Sequence, residues 1–149
     1  MPIHPDHRYY ARTSRERLAS ADLLRTSAPS LSLYLAGLSA ECMLRAWLPP
    51  GEPFDGRHDL ASILARGSLL EGLTGRGVQK VTIAVKGLTL LWFNGIRYLP
   101  EDQVLPHLKR LPAYRKMSIG RKAARIVLTR AASDALAAAT VIMKAGEVR

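Results

Sequence analysis

Helical periodicity is the feature that most constrains how this chain of 149 residues can fold. Apolar side chains recur every three or four residues through four long segments, whereas the alternating pattern of strands is nearly absent. The segments predict helices at about residues 8–27, 30–48, 78–98 and 118–145. Ser118 should cap the last helix, and Gly146 should end it. We therefore expect an all-α fold in a single domain over residues 1–149, an antiparallel up-down four-helix bundle with one short additional helix.

The second segment is the most apolar of the four, so it should form the central and most buried helix. Ser30 is placed to cap its start, and Pro49 and Pro50 follow its end. The stripe expected to face the core consists of Leu31, Leu35, Leu38 and Cys42. In this arrangement, truncating Leu35 to alanine should cost roughly 2–5 kcal/mol, because a cavity would remain.

Two connections are long enough to have structure of their own. Residues 49–57 form a Pro/Gly-rich loop that leads to the short additional helix, expected at about residues 58–66. Residues 99–117 contain three prolines. They predict a loop with at most one turn of helix around residues 102–110.

Composition indicates a compact soluble domain with an anionic partner. Apolar residues make up 48% of the chain, too many for a disordered basic tail, and 22 Lys and Arg against 12 Asp and Glu leave a net charge of +10. The single Cys excludes an intramolecular disulfide and a Cys-based zinc site, which favours the cytoplasm. The N-terminus lacks the apolar region of a signal peptide, and the apolar stretch 81–96 contains Lys86, so we expect no membrane segment.

The positive charge is concentrated in one segment. Residues 103–133 hold eight basic residues and no acidic one, whereas the rest of the chain is close to neutral. The eight are Lys109, Arg110, Arg115, Lys116, Arg121, Lys122, Arg125 and Arg130. A GC-rich genome would explain why Arg outnumbers Lys 16 to 6, but codon usage does not predict an acid-free run of this length. The segment predicts a local surface for an anion.

A few charged residues stand out on otherwise apolar segments. Glu41 and Arg45 are four apart on the second helix, in the favourable order for an ion pair, and must be paired or lie at a groove edge. His58 and Asp59 stand together at a helix start, where capping is the simplest role. Arg97 ends the third long segment, where it complements the helix dipole.

The motifs of several enzyme classes are missing. The sequence has no GxSxG elbow, no P-loop and no HExxH, which removes support for acyl transfer, Walker-type nucleotide hydrolysis and zinc proteolysis. The four histidines are scattered at His4, His7, His58 and His107. We expect no metal site and no cofactor.

Three short motifs in order resemble a known family. The run 33–46 contains Tyr34, Gly37, Glu41 and Arg45, a His-Asp-Leu begins at His58, and the third helix ends with Trp92 and the pair Arg97-Tyr98. This pattern, over about residues 9–100, is similar to the HEPN domain (higher eukaryotes and prokaryotes nucleotide-binding).

The resemblance implies a bundle of four to five helices that usually forms a two-fold homodimer. Members occur in toxin–antitoxin pairs, beside nucleotidyltransferases and in RNA processing. Many are metal-independent endoribonucleases that use an Arg followed four to six residues later by His. Neither His58 nor His107 has an Arg at that distance upstream. The departure favours binding of RNA or nucleotide without that cleavage site.

We therefore expect a HEPN-like homodimer that binds RNA or nucleotide, a partner nucleotidyltransferase antitoxin, or both. Glu41, Arg45 and His58 would line a polar groove near the dimer axis. The residues expected to contact phosphate are Arg97, Lys109, Arg110, Arg115, Lys116, Arg121, Lys122 and Arg125.

Two alternatives stay open. One is a metal-independent endoribonuclease toxin in which His58 is the acid or base together with Arg97 or Arg45. The other is an interaction protein whose basic segment docks an acidic partner. A helix-turn-helix that binds DNA is disfavoured, because the connection 99–117 is too long and too rich in proline.

Overall fold

The described part of the chain contains seven α-helices. In a computed structural model of the protein, which describes residues 6–117 and 121–147, all regular structure is helical. The helices are α1 (His7–Leu24), α2 (Pro29–Arg45), α3 (Leu60–Arg66), α4 (Gly75–Leu91), α5 (Glu101–Lys109), α6 (Pro112–Arg115) and α7 (Arg121–Glu147). Two 3₁₀ turns are found at Leu69–Gly72 and Asn94–Tyr98. The all-α prediction is confirmed, whereas the predicted cap at Ser118 lies outside the described residues.

Helices α1 and α2 form an antiparallel pair joined by a short turn. The Ser39 hydroxyl donates to the Ser14 carbonyl at 2.7 Å, and the Ser32 hydroxyl donates to the Ala21 carbonyl at 2.6 Å. Residue numbers fall along α2 as they rise along α1, which defines the antiparallel register. All four residues are fully buried. Small side chains let the two helices approach closely while each buried hydroxyl keeps a partner.

Helix α7 runs parallel to α2 and also packs against α1. At one end, the Arg125 guanidinium donates to the carbonyls of Thr26 and Ser27, just before α2 begins. At the other end, a Cβ added to Gly146 would lie 2.3 Å from the sulfur of Met43. Gly146 is therefore inside α7, where it permits close approach to α2. Its predicted role as the residue that ends the helix was wrong.

Helix α2 is central, as predicted, because α1 and α7 both pack against it, while α4 packs chiefly against α7. The expected core stripe is confirmed at Cys42, which is buried, but not at its three leucines. Leu31 is 44% exposed, and Leu35 and Leu38 are only partly buried. The fully buried leucines of α2 are Leu33 and Leu44. With neighbours on two sides, the buried arc of α2 is wide and includes serines and alanines, so leucine spacing alone indicated the wrong face.

The segment 99–117 is more helical than predicted. It holds α5 and α6, and its prolines sit largely where a helix tolerates them. Pro100 is the N-cap of α5 and Pro112 opens α6, positions whose N–H groups have no partner within the helix. Only Pro106 lies inside a helix. The number of prolines predicted a loop, whereas their positions permit two helices.

The third long segment ends earlier than expected, and the last one is strongly apolar. Trp92 and Phe93 are extended after α4, and the 3₁₀ turn follows. By length and composition alone, residues 123–147 of α7 are apolar enough to cross a membrane, although 44% of their 18-residue apolar window is buried within the molecule. This is how the core helix of a globular domain also behaves, so the pattern is weak evidence for a membrane.

The central position of α2 predicts different costs for two leucines two residues apart. Leu33→Ala should destabilise the protein by about 2–5 kcal/mol, because its side chain is fully buried and a cavity would remain. Leu31→Ala is the matched control, with an expected cost within about 0.5 kcal/mol. Urea unfolding of both variants measures the difference. Equal losses would contradict the described orientation of α2.

Candidate functional site

Three of the residues singled out by the sequence meet at one end of α2. Arg45 Nε donates to Glu41 Oε1 at 2.7 Å, and both side chains are 3% exposed. His58 Nδ1 lies 2.9 Å from each carboxylate oxygen of Glu41, so the imidazole N–H donates to the same group. Glu41 therefore accepts from two residues at once. We call Glu41, Arg45 and His58 the α2 triad.

The loop before α3 closes over the triad. The second guanidinium branch of Arg45 donates from Nη2 to the carbonyl of Asp55 at 2.7 Å. The Phe54 ring covers the guanidinium, with 4.7 Å between the ring centroid and the central carbon. A buried ion pair costs desolvation free energy unless its remaining polar atoms are also bonded. Here backbone and ring provide those contacts, which fixes the loop on α2.

His58 adopts a backbone conformation unusual for its residue type. Its φ of 55° lies in the left-handed region, which a non-glycine residue adopts at some cost. The next residue, Asp59, caps α3 by accepting from the Ser62 amide at 3.1 Å. The turn thus points the imidazole back to Glu41 while Asp59 starts the helix. Capping explains Asp59, whereas His58 has the separate role of bonding Glu41.

A cleft of about 350 Å³ adjoins the Arg45 side of the triad. Its walls include Tyr10, Arg45, Leu48 and Phe54. Burial raises the pKa of the Tyr10 hydroxyl, which keeps it a neutral hydrogen-bonding group. Sequence analysis missed Tyr10 and Phe54, because only the tertiary fold brings α1 and the loop to this end of α2.

Arg97 does not join the triad. Its guanidinium donates to the Tyr34 hydroxyl at 3.4 Å and lies 4.6 Å from the centroid of the Tyr98 ring. Tyr34 precedes Glu41 by two turns of α2, which places it roughly 10 Å away along the helix axis. Of the two arginines expected beside His58, Arg45 meets it through Glu41, whereas Arg97 lies beside Tyr34.

Gly37 explains how the Arg97 region is seated on α2. A Cβ at Gly37 would fall 2.2 Å from the Trp92 ring, so only glycine leaves room for the indole. Trp92 is 4% exposed, and its Nε1 donates to the Tyr34 carbonyl at 3.1 Å. The buried indole fixes the start of the 3₁₀ turn whose last two residues are Arg97 and Tyr98.

The predicted phosphate contacts divide into exposed and engaged groups. Arg110, Arg115 and Lys116 are exposed, although Arg115 also donates to the Arg110 carbonyl at 3.3 Å. None of these three forms an ion pair with a carboxylate in the described part of the chain. Lys109 is partly buried and donates to the Met117 carbonyl.

Two other cations of the basic segment, Arg125 and Arg130, are exposed but have partners within the fold. The Arg125 guanidinium donates to the carbonyls of Thr26 and Ser27 and lies 3.7 Å from the Glu101 carboxylate. Its charge therefore has partners within the fold. Arg130 pairs with Asp134 at 3.2 Å. The side chains of Arg121 and Lys122 lie outside the described residues. The basic surface is therefore smaller than the sequence suggested.

Two further features bear on chemistry. An apolar groove of about 840 Å³ runs between α4 and α7, with Ile83, Gly87 and Leu90 on its α4 wall. Burial raises the pKa of the Cys42 thiol to about 11, which makes it a poor nucleophile. Within residues 6–117 and 121–147, no three His, Cys, Asp or Glu side chains converge as a metal site would require.

Comparison with known proteins gives no relative. The sequence matches no family model, and searches of curated proteins and of solved structures give no significant match. Function must therefore be argued from the geometry of this chain.

The triad predicts a large cost for removing its carboxylate. Glu41→Gln should destabilise the protein by about 3–5 kcal/mol, because it leaves the Arg45 charge buried without a counter-ion. The control is Glu16→Gln, since Arg12 and Glu16 form an exposed pair with the same spacing and an expected worth of about 0.5 kcal/mol. Urea unfolding at neutral pH compares the two. A small, equal effect in both variants would contradict the structural role of the triad.

Proposed function

We propose that the protein is a HEPN-like helical module that binds RNA or nucleotide and does not use the standard Arg/His ribonuclease site. The single observation that supports binding is that four cations of residues 97–116, Arg97, Arg110, Arg115 and Lys116, are exposed and form no ion pair with a carboxylate in the described chain. Arg8, Arg12, Arg57 and Arg130, by contrast, are each held by an acidic neighbour. Unpaired guanidinium groups can meet phosphate without first breaking an ion pair.

The positions of the motif residues support the HEPN-like part of the proposal. Along α2, Tyr34 and Gly37 contact the residues around Trp92, and Glu41 contacts Arg45 and His58. The three motifs that carried the resemblance thus converge on one helix. The proposal includes the finer architecture of a four-helix bundle, a cytoplasmic homodimer and partnership with a nucleotidyltransferase antitoxin. The exposed Ile83 and Leu90 on α4 are compatible with a partner surface.

The buried triad has a structural role in this proposal. Arg45 is 3% exposed and already bonds Glu41 and the Asp55 carbonyl, so its guanidinium is too buried to contact a phosphate. Its function is to hold the loop and α3 against α2. Phosphate binding then falls to the exposed cations of the 3₁₀ turn, α5 and α6.

Binding should weaken steeply with added salt and depend on the exposed cations. For a single-stranded RNA, the double variant Arg110→Glu with Lys116→Glu should lower the slope of log affinity against log salt by about 0.7 per lost phosphate contact. The matched control is Arg76→Glu with Lys80→Glu, two exposed cations of α4 that give the same charge change. Fluorescence anisotropy over a salt series measures both. Identical slopes in the two variants, or salt-independent binding, would refute the proposed surface.

A second candidate function is a metal-independent endoribonuclease. The observation that favours it is the bond between His58 and Glu41, because a carboxylate that orients an imidazole is common in acid–base sites. His58 is 26% exposed, so part of its ring faces solvent. Arg45, in contrast, is too deeply buried to contact a phosphate.

The second candidate makes its own prediction. If it were correct, expression would arrest growth, total RNA would be cleaved without metal, and His58→Ala would abolish both effects. We expect no cleavage by the wild-type protein in the presence of EDTA. The control His107→Ala removes another imidazole, which bonds the Leu91 carbonyl away from the triad. Metal-independent cleavage that is lost in His58→Ala alone would establish the enzyme and displace the binding proposal.

A further inference from the structure

An exposed aromatic and basic surface lies at the junction of α4 and α5. Tyr98 is 74% exposed and Phe93 is 37% exposed, at the two ends of the segment 93–98. Arg97 stands between them on the same segment and is also exposed. Burial of large aromatic rings is favourable, so their exposure beside a cation indicates a surface that contacts a ligand or partner.

The buried Tyr34 side chain holds the exposed pair of Arg97 and Tyr98 in place. The guanidinium bonds the Tyr34 hydroxyl and lies over one face of the Tyr98 ring at 4.6 Å from its centroid. Tyr34 itself is 8% exposed and stacks on Trp92, with ring centroids 6.5 Å apart. A buried anchor therefore orients an exposed cation and an exposed ring. Such pre-organisation reduces the entropy lost when a ligand binds.

The charge of Arg97 is available to a ligand. Within residues 6–117 and 121–147, no carboxylate forms an ion pair with it, and aromatic groups orient it instead. The nearby Glu101 carboxylate lies 3.7 Å from Arg125, which offsets its negative charge. The hydrogen bond with the Tyr34 hydroxyl raises the pKa of Arg97, so it stays a cation at any physiological pH.

Phe93 supplies a second ring on the same segment. It meets His107 of α5 edge to face, with ring centroids 5.0 Å apart, and the His107 Nε2–H donates to the Leu91 carbonyl at 3.2 Å. Phe93 is extended and directly precedes the 3₁₀ turn that Tyr98 ends, so the two exposed rings flank that turn.

We infer that Phe93, Arg97 and Tyr98 form a stacking platform for the unpaired bases of single-stranded RNA. The open face of the Tyr98 ring receives one base, the Phe93 ring supports a neighbouring base, and Arg97 binds a phosphate between them. Stacking on aromatic rings is tolerant of sequence and needs bases that are not paired. The inference rests on the proposed function and adds to it that the bases, and not the phosphates alone, are recognised.

Three probes of equal length separate base stacking from attraction to phosphate. They are a fluorescein-labelled 12-nucleotide oligoadenylate, an abasic ribose-phosphate chain of 12 units and a 12-base-pair RNA duplex. Anisotropy titrations at one salt concentration give the affinity for each. The platform predicts that oligoadenylate binds at least about fivefold more tightly than the abasic chain, from one stacked base or more. The duplex carries about twice the phosphates of oligoadenylate, yet it should bind less tightly than oligoadenylate, because its bases are already stacked.

Variants assign the preference to the platform. Tyr98→Leu should remove at least about fivefold of the affinity for oligoadenylate while leaving the abasic chain nearly unchanged. Tyr98→Phe keeps the ring and should retain the preference. The matched control is Tyr9→Leu, since Tyr9 is 62% exposed on α1 and lies outside the platform. Circular dichroism melting checks that each variant is folded.

Each failure has a distinct meaning. Equal affinity of the wild-type protein for oligoadenylate and the abasic chain would overturn the platform and leave phosphate binding intact. Retention of the base preference in Tyr98→Leu would likewise overturn it. Absence of binding to all three probes would refute the proposed function itself. Poly-glutamate that binds as tightly as oligoadenylate would refute both proposals in favour of an acidic protein partner.

Discussion

The rest of the molecule depends on one carboxylate buried in the central helix. Glu41 accepts hydrogen bonds from Arg45 and His58, and Arg45 extends the network to the backbone of Asp55. Two charged side chains on an otherwise apolar helix would be costly if they stood alone. The two side chains pair with each other, and Arg45 also bonds the loop backbone. These contacts give the Pro/Gly-rich connection a defined path. Helix α3, which begins one residue after Asp59, is placed by the same contacts.

A second fixed point lies two turns earlier on α2. Gly37 leaves space for the Trp92 indole, and Tyr34 then contacts both Trp92 and Arg97. The two fixed points have opposite chemistry. At the first, the buried pair of Glu41 and Arg45 holds a loop. At the second, the buried Trp92 ring lies beside Tyr34, which bonds the exposed Arg97. Helix α2 thus connects a structural cluster with an exposed surface.

Much of this arrangement could be predicted from sequence, and the failures have physical causes. The all-round apolar character of α2 predicted its central position, and the spacing of Glu41 and Arg45 predicted their pairing. The core face of α2 that its leucines predicted was wrong. Small residues such as Ser32 and Ser39 mark a close helix contact that leucine spacing does not reveal. The partner of His58 could not be predicted from the sequence. A backbone turn with positive φ points the His58 imidazole to Glu41, and Arg97 lies beside Tyr34.

The same limits apply to the basic segment. Counting charges indicated one surface over residues 103–133, but Arg125 and Arg130 are engaged by carbonyls or carboxylates within the fold. Sequence reports how many charges a segment holds, whereas tertiary structure decides which of them already have partners. The two rings at Phe93 and Tyr98 were likewise invisible as a pair, because their exposure follows from how Trp92 is buried.

The parallel packing of α2 and α7 has a kinetic consequence. The two helices are separated by more than 70 residues of chain, so the core of the molecule is closed by contacts of high sequence separation. The α1–α2 hairpin can form early during synthesis, yet the α2 face around Met43, against which Gly146 packs, remains uncovered until α7 leaves the ribosome. Helix α7, which follows the other described helices in the chain, therefore completes the core. Folding of this small helical protein should be slower than that of bundles whose contacts are local.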